Sequence, residues 1–378
     1  MKFSDKIGPW MAEAAYPLWG GPGIDPATGG AWEALRVVDG APARAEIKRV
    51  RVQHRQIYAF AEGWRMGFDP QGLERARGVL AFARAKAQAP QGPGWIHRLK
   101  PDDSPQDSRR DAYDQMFALL GYGALARFGV EEAREDLAKT WAGLSGDLAH
   151  PLGGWREDDR DTSPRRQNPH MHGFEALMAL YDWTGEAVWM ERAEAVLELF
   201  FARFFDAGRG WLMEHFAEDW TPLTPEEGQR LEPGHFCEWV WLLRRYERLG
   251  GKRPIGAAAD ALYEEGRRLG LGPDGLLCDE TFLDGVPSKP TRRLWGQTEH
   301  FKAALAQERV HGTGRHLIEA QEVFDRLFGV YLTGCHPGGW RDKLNPDGSL
   351  ADPLMPASTF YHLVCAFGYA LDWEAAKG

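Results

Sequence analysis

The sequence predicts an all-α fold, an (α/α)6 barrel in which about twelve helices form six hairpins around a central axis. Three observations predict it: a turn that recurs six times, helical spacing of the apolar residues between the turns, and the scarcity of alternating strand patterns. With 378 residues the chain is long enough for one closed ring, so we expect a single domain over residues 1–378.

The recurring turn is rich in glycine and ends in tryptophan in five of its six copies. Glycine allows the positive φ values that a tight turn needs, and the tryptophan after it can anchor the turn to the core. The copies are about 55 to 65 residues apart, which leaves room for one helix pair in each interval. They are Gly29–Trp32, Gly92–Trp95, Gly153–Trp155, Gly208–Trp211, Pro273–Leu276 and Gly338–Trp340.

Between the turns, apolar residues recur with the period of an α-helix. In residues 43–68, for example, one stripe contains Ile47, Val50, Ile57 and Ala61. An open solenoid would need polar capping repeats at its ends, and the sequence has none, so we expect the six pairs to close into a ring. The helices that face the axis should begin after a turn or a proline-rich loop, near Arg44, Asp107, Gln167, Glu232, Arg292 and Ser358.

Composition excludes several classes of protein. The formal net charge of −10 and the lack of a basic stripe argue against a nucleic-acid partner. No apolar run is long enough to span a membrane, and the first residues lack the apolar core of a signal peptide. The sequence has no glycine-rich nucleotide loop, so no cofactor is expected. Four scattered cysteines favour a reducing cytoplasm over a disulfide framework or a metal knuckle: Cys237, Cys278, Cys335 and Cys365.

The clearest candidate for chemistry is the pair His235 and Glu238. Residues three apart share one face of a helix, and a carboxylate beside an imidazole raises its pKa and orients the ring. That arrangement suits a general base that works near neutral pH. An ordinary pair on a solvated helix is the alternative, but the apolar residues around the pair predict a face directed inward.

A second candidate is the histidine pair His170 and His172. The spacing invites a metal reading, but residues two apart on a helix point in different directions, and no third ligand is close in sequence. We therefore expect no metal, and expect His172 to line a pocket with Glu175 on the same helix face. A buried histidine with a purely structural role stays open.

His362 occupies the first turn of the last predicted inner helix, where it could reach a central pocket. Sixteen tryptophans invite sugar stacking, and we expect Trp295 and Trp239 to line the pocket while most others anchor turns or fill the core. The loops 88–105 and 219–234 are expected over the pocket mouth, where Arg109, Arg165 or Arg166 could hold a phosphate or sulfonate. Further candidates for substrate binding near the starts of inner helices are Arg55, Asp111, Asp114, Gln297 and Glu299.

Four runs of residues resemble the N-acylglucosamine 2-epimerase superfamily, in the same order and over nearly the whole chain: Gln167–His172, Pro233–Trp239, Trp295–Glu299 and Phe360–His362. That superfamily includes mannose isomerase, sulfoquinovose isomerase and cellobiose 2-epimerase. The resemblance implies a cofactor-free reaction on a small reducing sugar inside an (α/α)6 barrel.

The resemblance also implies roles for individual residues. His235 matches the family's acid/base histidine, and Glu238 matches the carboxylate that accompanies it. His362 matches the second acid/base histidine. His172 matches a third pocket histidine associated with ring opening and substrate binding, and Arg55 matches an arginine that contacts the sugar near the reacting carbons.

The ending Met355–His362 is more similar to the mannose isomerase branch, which implies aldose–ketose isomerisation through a cis-enediolate. A sugar 2-epimerase stays open, because two histidines on opposite walls can return the proton to either carbon. A glycoside hydrolase with this fold would instead use two carboxylates, one of Asp111 and Asp114 with Glu175 or Glu238. A sugar-binding ring without activity is a third alternative.

Overall fold

The structure, a computed structural model, describes residues 2–43 and 46–377. Within these residues it contains twelve helices, which confirms the predicted fold class. They are α1 (Ser4–Pro9, Trp10–Ala15 and Tyr16–Gly20 in one continuous run), α2 (Val50–Arg65), α3 (Gly72–Lys86), α4 (Ala112–Ala126), α5 (Glu131–Ser145), α6 (Asn168–Thr184), α7 (Ala187–Leu199, continued by Phe200–Phe204), α8 (Pro233–Arg248), α9 (Gly256–Gly270), α10 (Leu294–His311), α11 (Arg315–Arg326, continued by Leu327–Tyr331) and α12 (Ser358–Ala375).

The even-numbered helices form a closed inner ring. Each contacts the next along the chain, and α12 returns to contact α2. Each odd-numbered helix from α3 to α11 packs outside the inner helix before it, and α1 packs on α12. The result is six helix pairs around one axis.

Burial distinguishes the two layers. The inner helix α4 is buried on nearly all sides, and small residues such as Gly121 and Gly123 let neighbouring helices approach closely. The outer helix α5 buries only one face, which includes Ala133 and Leu144, and exposes charged residues on the other. A helix that is apolar all round belongs in a core, whereas an amphipathic one covers it.

Short antiparallel strands connect the helices at one end of the ring. They pair Ala34–Arg36 with Leu354–Pro356, Lys48–Arg49 with Arg98–Leu99, Arg98–Leu99 with Pro105–Asp107, Arg165–Arg166 with His215–Phe216, Phe205–Asp206 with Trp211–Leu212, Glu280–Thr281 with Pro287–Lys289, and Arg292–Arg293 with Lys343–Leu344.

The recurring turns lie where they were predicted, after the outer helices. Gly153 and Gly154 both have positive φ, +92° and +72°. Trp95 and Trp340 are completely buried, and Trp340 stacks on Trp19 with ring centroids 4.6 Å apart. These tryptophans therefore attach the turns to the core as expected.

Three of the predicted inner-helix starts are displaced. Residues 46–49 are not helical, because Lys48 and Arg49 pair as a strand and α2 begins only at Val50; Arg44 lies outside the described residues. Asp107 belongs to a strand, and α4 begins at Ala112. Arg292 is also in a strand, just before α10. In each case hydrogen bonds between short connecting strands hold these residues in an extended backbone, and the helix begins only after them.

Among the described residues, no helix combines the length and apolar character needed to cross a bilayer.

Candidate active site

All six inner helices begin at the same end of the barrel, and their first turns surround a cavity of about 260 Å³. Each helix N-terminus carries roughly half a positive charge, so the position favours negative charge in a ligand. The side chains that line the cavity belong to Arg49, Arg51, Arg55, Tyr113, Asn168, His172, Glu232, His235, Glu238, Arg293, Trp295, Asp342, Pro356, Ser358, Thr359 and His362.

His235, in the first turn of α8, is held by a carboxylate from a neighbouring hairpin. Its Nδ1 lies 3.1 Å from both carboxylate oxygens of Glu214, and Glu232 is a further 3.9 Å contact. Burial alone would lower the pKa of His235, but the charges of Glu214 and Glu232 outweigh it and raise the pKa to about 10. The ring is therefore an imidazolium at neutral pH.

The other ring nitrogen of His235, Nε2, lies 3.2 Å from the side-chain amide of Asn168. Oδ1 of that amide is buried without a partner. Turning the amide by half a turn lets Oδ1 accept the Nε2–H of the imidazolium and removes the unpaired oxygen. Asn168 thus fits a charged His235.

His362, on α12, has the opposite character. Its Nδ1 donates to Oε1 of Glu299, 2.9 Å away, and the other oxygen of Glu299 is 2.7 Å from Nζ of the fully buried Lys302. Burial, followed by the positive charges of Arg55 and Lys302, holds the pKa of His362 well below 6.5. The ring is neutral, and with Nδ1–H engaged its Nε2 keeps a free lone pair.

His172, on α6, is a second neutral histidine. Its Nδ1 lies 3.1 Å from Oε2 of Glu175, which also accepts a hydrogen bond from Tyr361. Burial lowers the pKa of His172 to about 4. The indole of Trp295 lies beside both of the other histidines, with ring centroids 5.1 Å from His235 and 5.7 Å from His362. Two neutral rings and one charged ring therefore surround the same small space.

Glu238 does not pair with His235, contrary to the sequence interpretation. Both of its carboxyl oxygens are buried without a hydrogen-bond partner, and the nearest histidine nitrogen, Nδ1 of His172, is 3.8 Å away. Burial and the charge of Glu299 raise the pKa of Glu238 well above its usual value. Glu238 is thus a neutral acid that can donate a hydrogen bond to a hydroxyl group in the cavity.

Arg55 extends from α2 into the cavity wall. It donates to the carbonyl of Ser358 at 3.0 Å and to the hydroxyl of Tyr113 at 2.7 Å, and it stacks over Phe117 at 4.0 Å. Its Nε is buried and unpaired, and no carboxylate among the described residues forms an ion pair with it. This positive charge is available to an oxyanion.

Six of the predicted site residues line this cavity: His172, His235, Glu238, His362, Arg55 and Trp295. Glu175 and Glu299 lie behind the rings that they hold. Asp111 lines an adjacent cleft, whereas Asp114 is buried with Arg51 and His97. The roles of all these residues remain predictions.

The cavity does not include Gln297, Trp239 or His170. The amide of Gln297 bonds the backbone N–H and C=O of Leu277, both at 2.9 Å. Trp239 is completely buried against Phe200, so the prediction that it lines the pocket is wrong. His170 accepts the N–H of Trp155 at 2.9 Å, a structural role.

Glu214 is the main residue that the sequence reasoning missed. It precedes a two-residue strand and lies 21 positions before the histidine it contacts, so no local spacing connects them. Gln167 fixes this carboxylate with a 3.0 Å hydrogen bond and in turn accepts from the indole of Trp239 at 2.8 Å.

In the part of the chain that the structure describes, four groups of histidines and carboxylates have ligand atoms within 4.8 Å of one another. Three of them contain the pocket histidines, and in each the histidine is already bonded to a carboxylate.

The axial pocket of this (α/α)6 barrel contains a charged histidine, two neutral histidines and an arginine without a carboxylate partner. These groups are suited to an enzyme that transfers protons on a small polar substrate. The sequence profile of the N-acylglucosamine 2-epimerase (GlcNAc 2-epimerase) family matches residues 30–366, so the chain belongs to that family. It is a sugar isomerase or epimerase.

Individual similarities agree with the family. The chain is 36% identical over 376 residues to a mannose-6-phosphate isomerase of Rhizobium meliloti (strain 1021), covering 96% of this chain and 95% of the relative. A crystal structure of D-mannose isomerase superposes with a TM-score of 0.88 at 20% identity, covering 98% and 97%. The cellobiose 2-epimerase of Spirochaeta thermophila DSM 6192 superposes with a TM-score of 0.87 at 23% identity, covering 98% and 96%. The two structural likenesses concern the fold.

Proposed function

We propose that the protein is an aldose–ketose isomerase of the mannose–fructose type, which works through a cis-enediolate without a cofactor. The observation that carries the proposal is the contrast between the surroundings of two histidines beside Trp295. Carboxylates lie 3.1 Å and 3.9 Å from Nδ1 of His235 and raise its pKa, whereas burial and nearby positive charges lower the pKa of His362. Isomerisation needs both an acid for the carbonyl oxygen and a base for the adjacent carbon. The relative named as a mannose-6-phosphate isomerase supports this substrate type.

The two histidines are proposed to exchange protons with the sugar in two stages. Nε2 of His362 removes the C2 proton of the open-chain aldose, which gives the cis-enediolate, and Nε2–H of His235 protonates O1 of this intermediate to give the enediol. His235 then takes the proton from O2, and His362 returns its proton to C1, which gives the ketose and restores both rings. Arg55, with its unpaired Nε, lowers the energy of the negative charge that develops on the oxygens.

His172 and Glu238 complete the proposal. His172, held by Glu175, is proposed to assist ring opening, since its neutral ring can accept the hydroxyl proton. Glu238 is proposed to hold a sugar hydroxyl as a hydrogen-bond donor. The expected partner is a small-molecule sugar. We also propose a reducing, cytoplasmic location, which the four free thiols support.

The test is product identification after incubation with mannose, mannose 6-phosphate, glucose, N-acetylglucosamine and cellobiose in separate reactions, with and without EDTA. A ketose should form from mannose or mannose 6-phosphate, and its rate of formation should be the same with and without EDTA. A C2 epimer with no ketose would move the protein to the epimerases. Reducing ends released from an oligosaccharide would instead support a hydrolase.

A further inference from the structure

A second cleft opens directly beside the catalytic cavity. It has a volume of about 500 Å³ and shares three lining residues with the cavity: Arg51, Tyr113 and Asn168. A substrate whose reacting carbons lie between the histidines can therefore extend its far end into this side cleft. What the cleft accepts decides which sugars fit the enzyme.

The side cleft is rich in arginine. Arg51, Arg98, Arg109 and Arg166 all line it. Three of them have carboxylate partners: Arg51 with Asp114 at 3.1 Å, Arg109 with Asp158 at 3.6 Å and Arg166 with Glu157 at 2.6 Å. Arg98 forms no ion pair within residues 2–43 and 46–377, and its Nε is buried without a hydrogen-bond partner.

Arg98 faces a second arginine across a pair of strands. It lies directly opposite Arg49 in the register of two antiparallel strands, and Arg49 lines the catalytic cavity. Like charges at opposed positions of a sheet are destabilising. Arg49 is paired with Glu33, so a bound anion would compensate the guanidinium group of Arg98, which has no such partner.

The carboxylates of the cleft are occupied. Glu157 binds the backbone and side chain of Arg166, and Asp158 accepts from Arg160 and Thr162. Burial, followed by the charge of Asp114, raises the pKa of Asp111, which disfavours a second negative charge there. The acidic residues therefore leave the free guanidinium uncompensated.

A second neutral sugar ring fits this cleft poorly. Apart from histidines, the described residues contribute one aromatic side chain to its lining, Tyr113. The guanidinium groups of Arg51 and Arg55 already lie over that ring, 5.3 Å and 5.8 Å from its centre. A pyranose would find no open aromatic face on which to stack, whereas an anion would meet several N–H donors.

We propose that this side cleft is the subsite for a tetrahedral oxyanion, a phosphate monoester or a sulfonate, at the far end of the aldose substrate, with Arg98 as its free ligand. The inference rests on the proposed function and makes its substrate class specific. It selects Arg109 and Arg166 from the three arginines expected near the mouth, because Arg165 is buried and donates to Asp161 instead.

The test compares wild type with Arg98→Met and uses Arg134→Met as the control, since Arg134 is an exposed arginine on the outer helix α5. Losing one charge-assisted contact should lower the ratio of kcat/KM for mannose 6-phosphate to that for mannose by about tenfold to a hundredfold. The control should leave the ratio unchanged. An unchanged ratio in a folded Arg98→Met variant would overturn the subsite.

Calorimetry with mannitol 6-phosphate and with mannitol separates this inference from the proposed function, since neither compound can be isomerised. If neither aldose turns over but mannitol 6-phosphate binds in an Arg98-dependent manner, the subsite stands and the proposed function fails. Mannitol 6-phosphate binding that is independent of Arg98 overturns the subsite. Inorganic phosphate tests whether the cleft binds a free anion and not the phosphate group of the substrate. If inorganic phosphate binds in an Arg98-dependent manner but does not compete with mannose 6-phosphate, the subsite is also overturned.

Discussion

At the scale of single residues, the site works because chemically identical rings have different partners. His235 lies against Glu214 and near Glu232, whereas His362 lies near the positive charges of Arg55 and Lys302. The first ring stays charged and the second neutral over the same pH range. Activity should therefore be level from about pH 6.5 upward and fall only as pH approaches about 10.

Glu214→Gln should move the alkaline limit of kcat/KM downward. The carboxylate raises the pKa of His235, so without it the imidazolium loses its proton at lower pH, by roughly one to three units. Glu218→Gln, at an exposed position close by, is the matched control. The measurement is the pH profile of kcat/KM; an alkaline limb that does not move would show that Glu214 leaves the pKa of His235 unaffected.

Lys302→Met should both destabilise the protein and lower kcat. Removing one member of a buried ion pair costs about 3–5 kcal/mol, because Glu299 keeps an uncompensated charge. The double variant Lys302→Met with Glu299→Gln should recover most of the stability while kcat stays low, since His362 lacks its charged acceptor. Denaturant unfolding and kinetics check this; full activity in the double variant would contradict it.

The sequence was informative about residues in local motifs and uninformative about those brought together only by the ring. His235 and His362 were found because each begins an inner helix within a recognisable run. Glu214 was missed because tertiary structure, not spacing, brings it to His235. The predicted pairing of Glu238 with His235 is wrong, since the histidine nitrogen nearest to Glu238 is Nδ1 of His172, on another helix.

At the scale of elements, the turn at Gly153–Trp155 contacts the first turn of the next inner helix, which carries a pocket side chain. Gly154 has φ of +72°, and its backbone passes close to His170, whose ring accepts the N–H of Trp155. His170 lies in the first turn of α6, two residues before His172. The turn therefore contacts the helical turn that carries the pocket residue His172.

Gly154→Ala should destabilise the protein by about 2–4 kcal/mol, since the added Cβ meets the ring of His170 in addition to the strain of a positive φ. Gly153→Ala is the control, because it has positive φ and nothing within 4 Å of the added Cβ. It should cost only about 1–2 kcal/mol. Urea unfolding of both variants measures the difference, and equal losses would contradict a packing role.

The helix pattern was predictable, but helix starts were not. Amphipathic spacing identified the pairs, whereas hydrogen bonds between short strands such as Lys48–Arg49 and Arg98–Leu99 decided where helices begin. Those pairings join distant parts of the chain, so the local sequence carries little sign of them.

At the scale of the whole molecule, the two ends of the chain close the ring. Ala34–Arg36 pairs with Leu354–Pro356, and Glu374 accepts the N–H of Ser4 at 3.1 Å. Trp340, Trp19 and Phe360 stack on one another, with ring centroids 4.6 to 6.2 Å apart, and Phe360 is two residues before His362. The contacts that close the ring therefore lie next to the helix that carries the pocket residue His362.

We propose that the chain is one folding unit, in contrast to an open array of repeats. Trp340→Ala should lower the free energy of unfolding by about 3–5 kcal/mol, and loss of helical circular dichroism and loss of activity should shift together. Two separate unfolding transitions would contradict the proposal.

The most direct test of the central claim is proton NMR in D2O with mannose or mannose 6-phosphate, using wild type and His362→Asn. Wild type should form the ketose with deuterium entering at C1, while the variant should keep its native circular dichroism spectrum and show neither product nor exchange. Ketose formed by the folded variant would contradict proton transfer by His362.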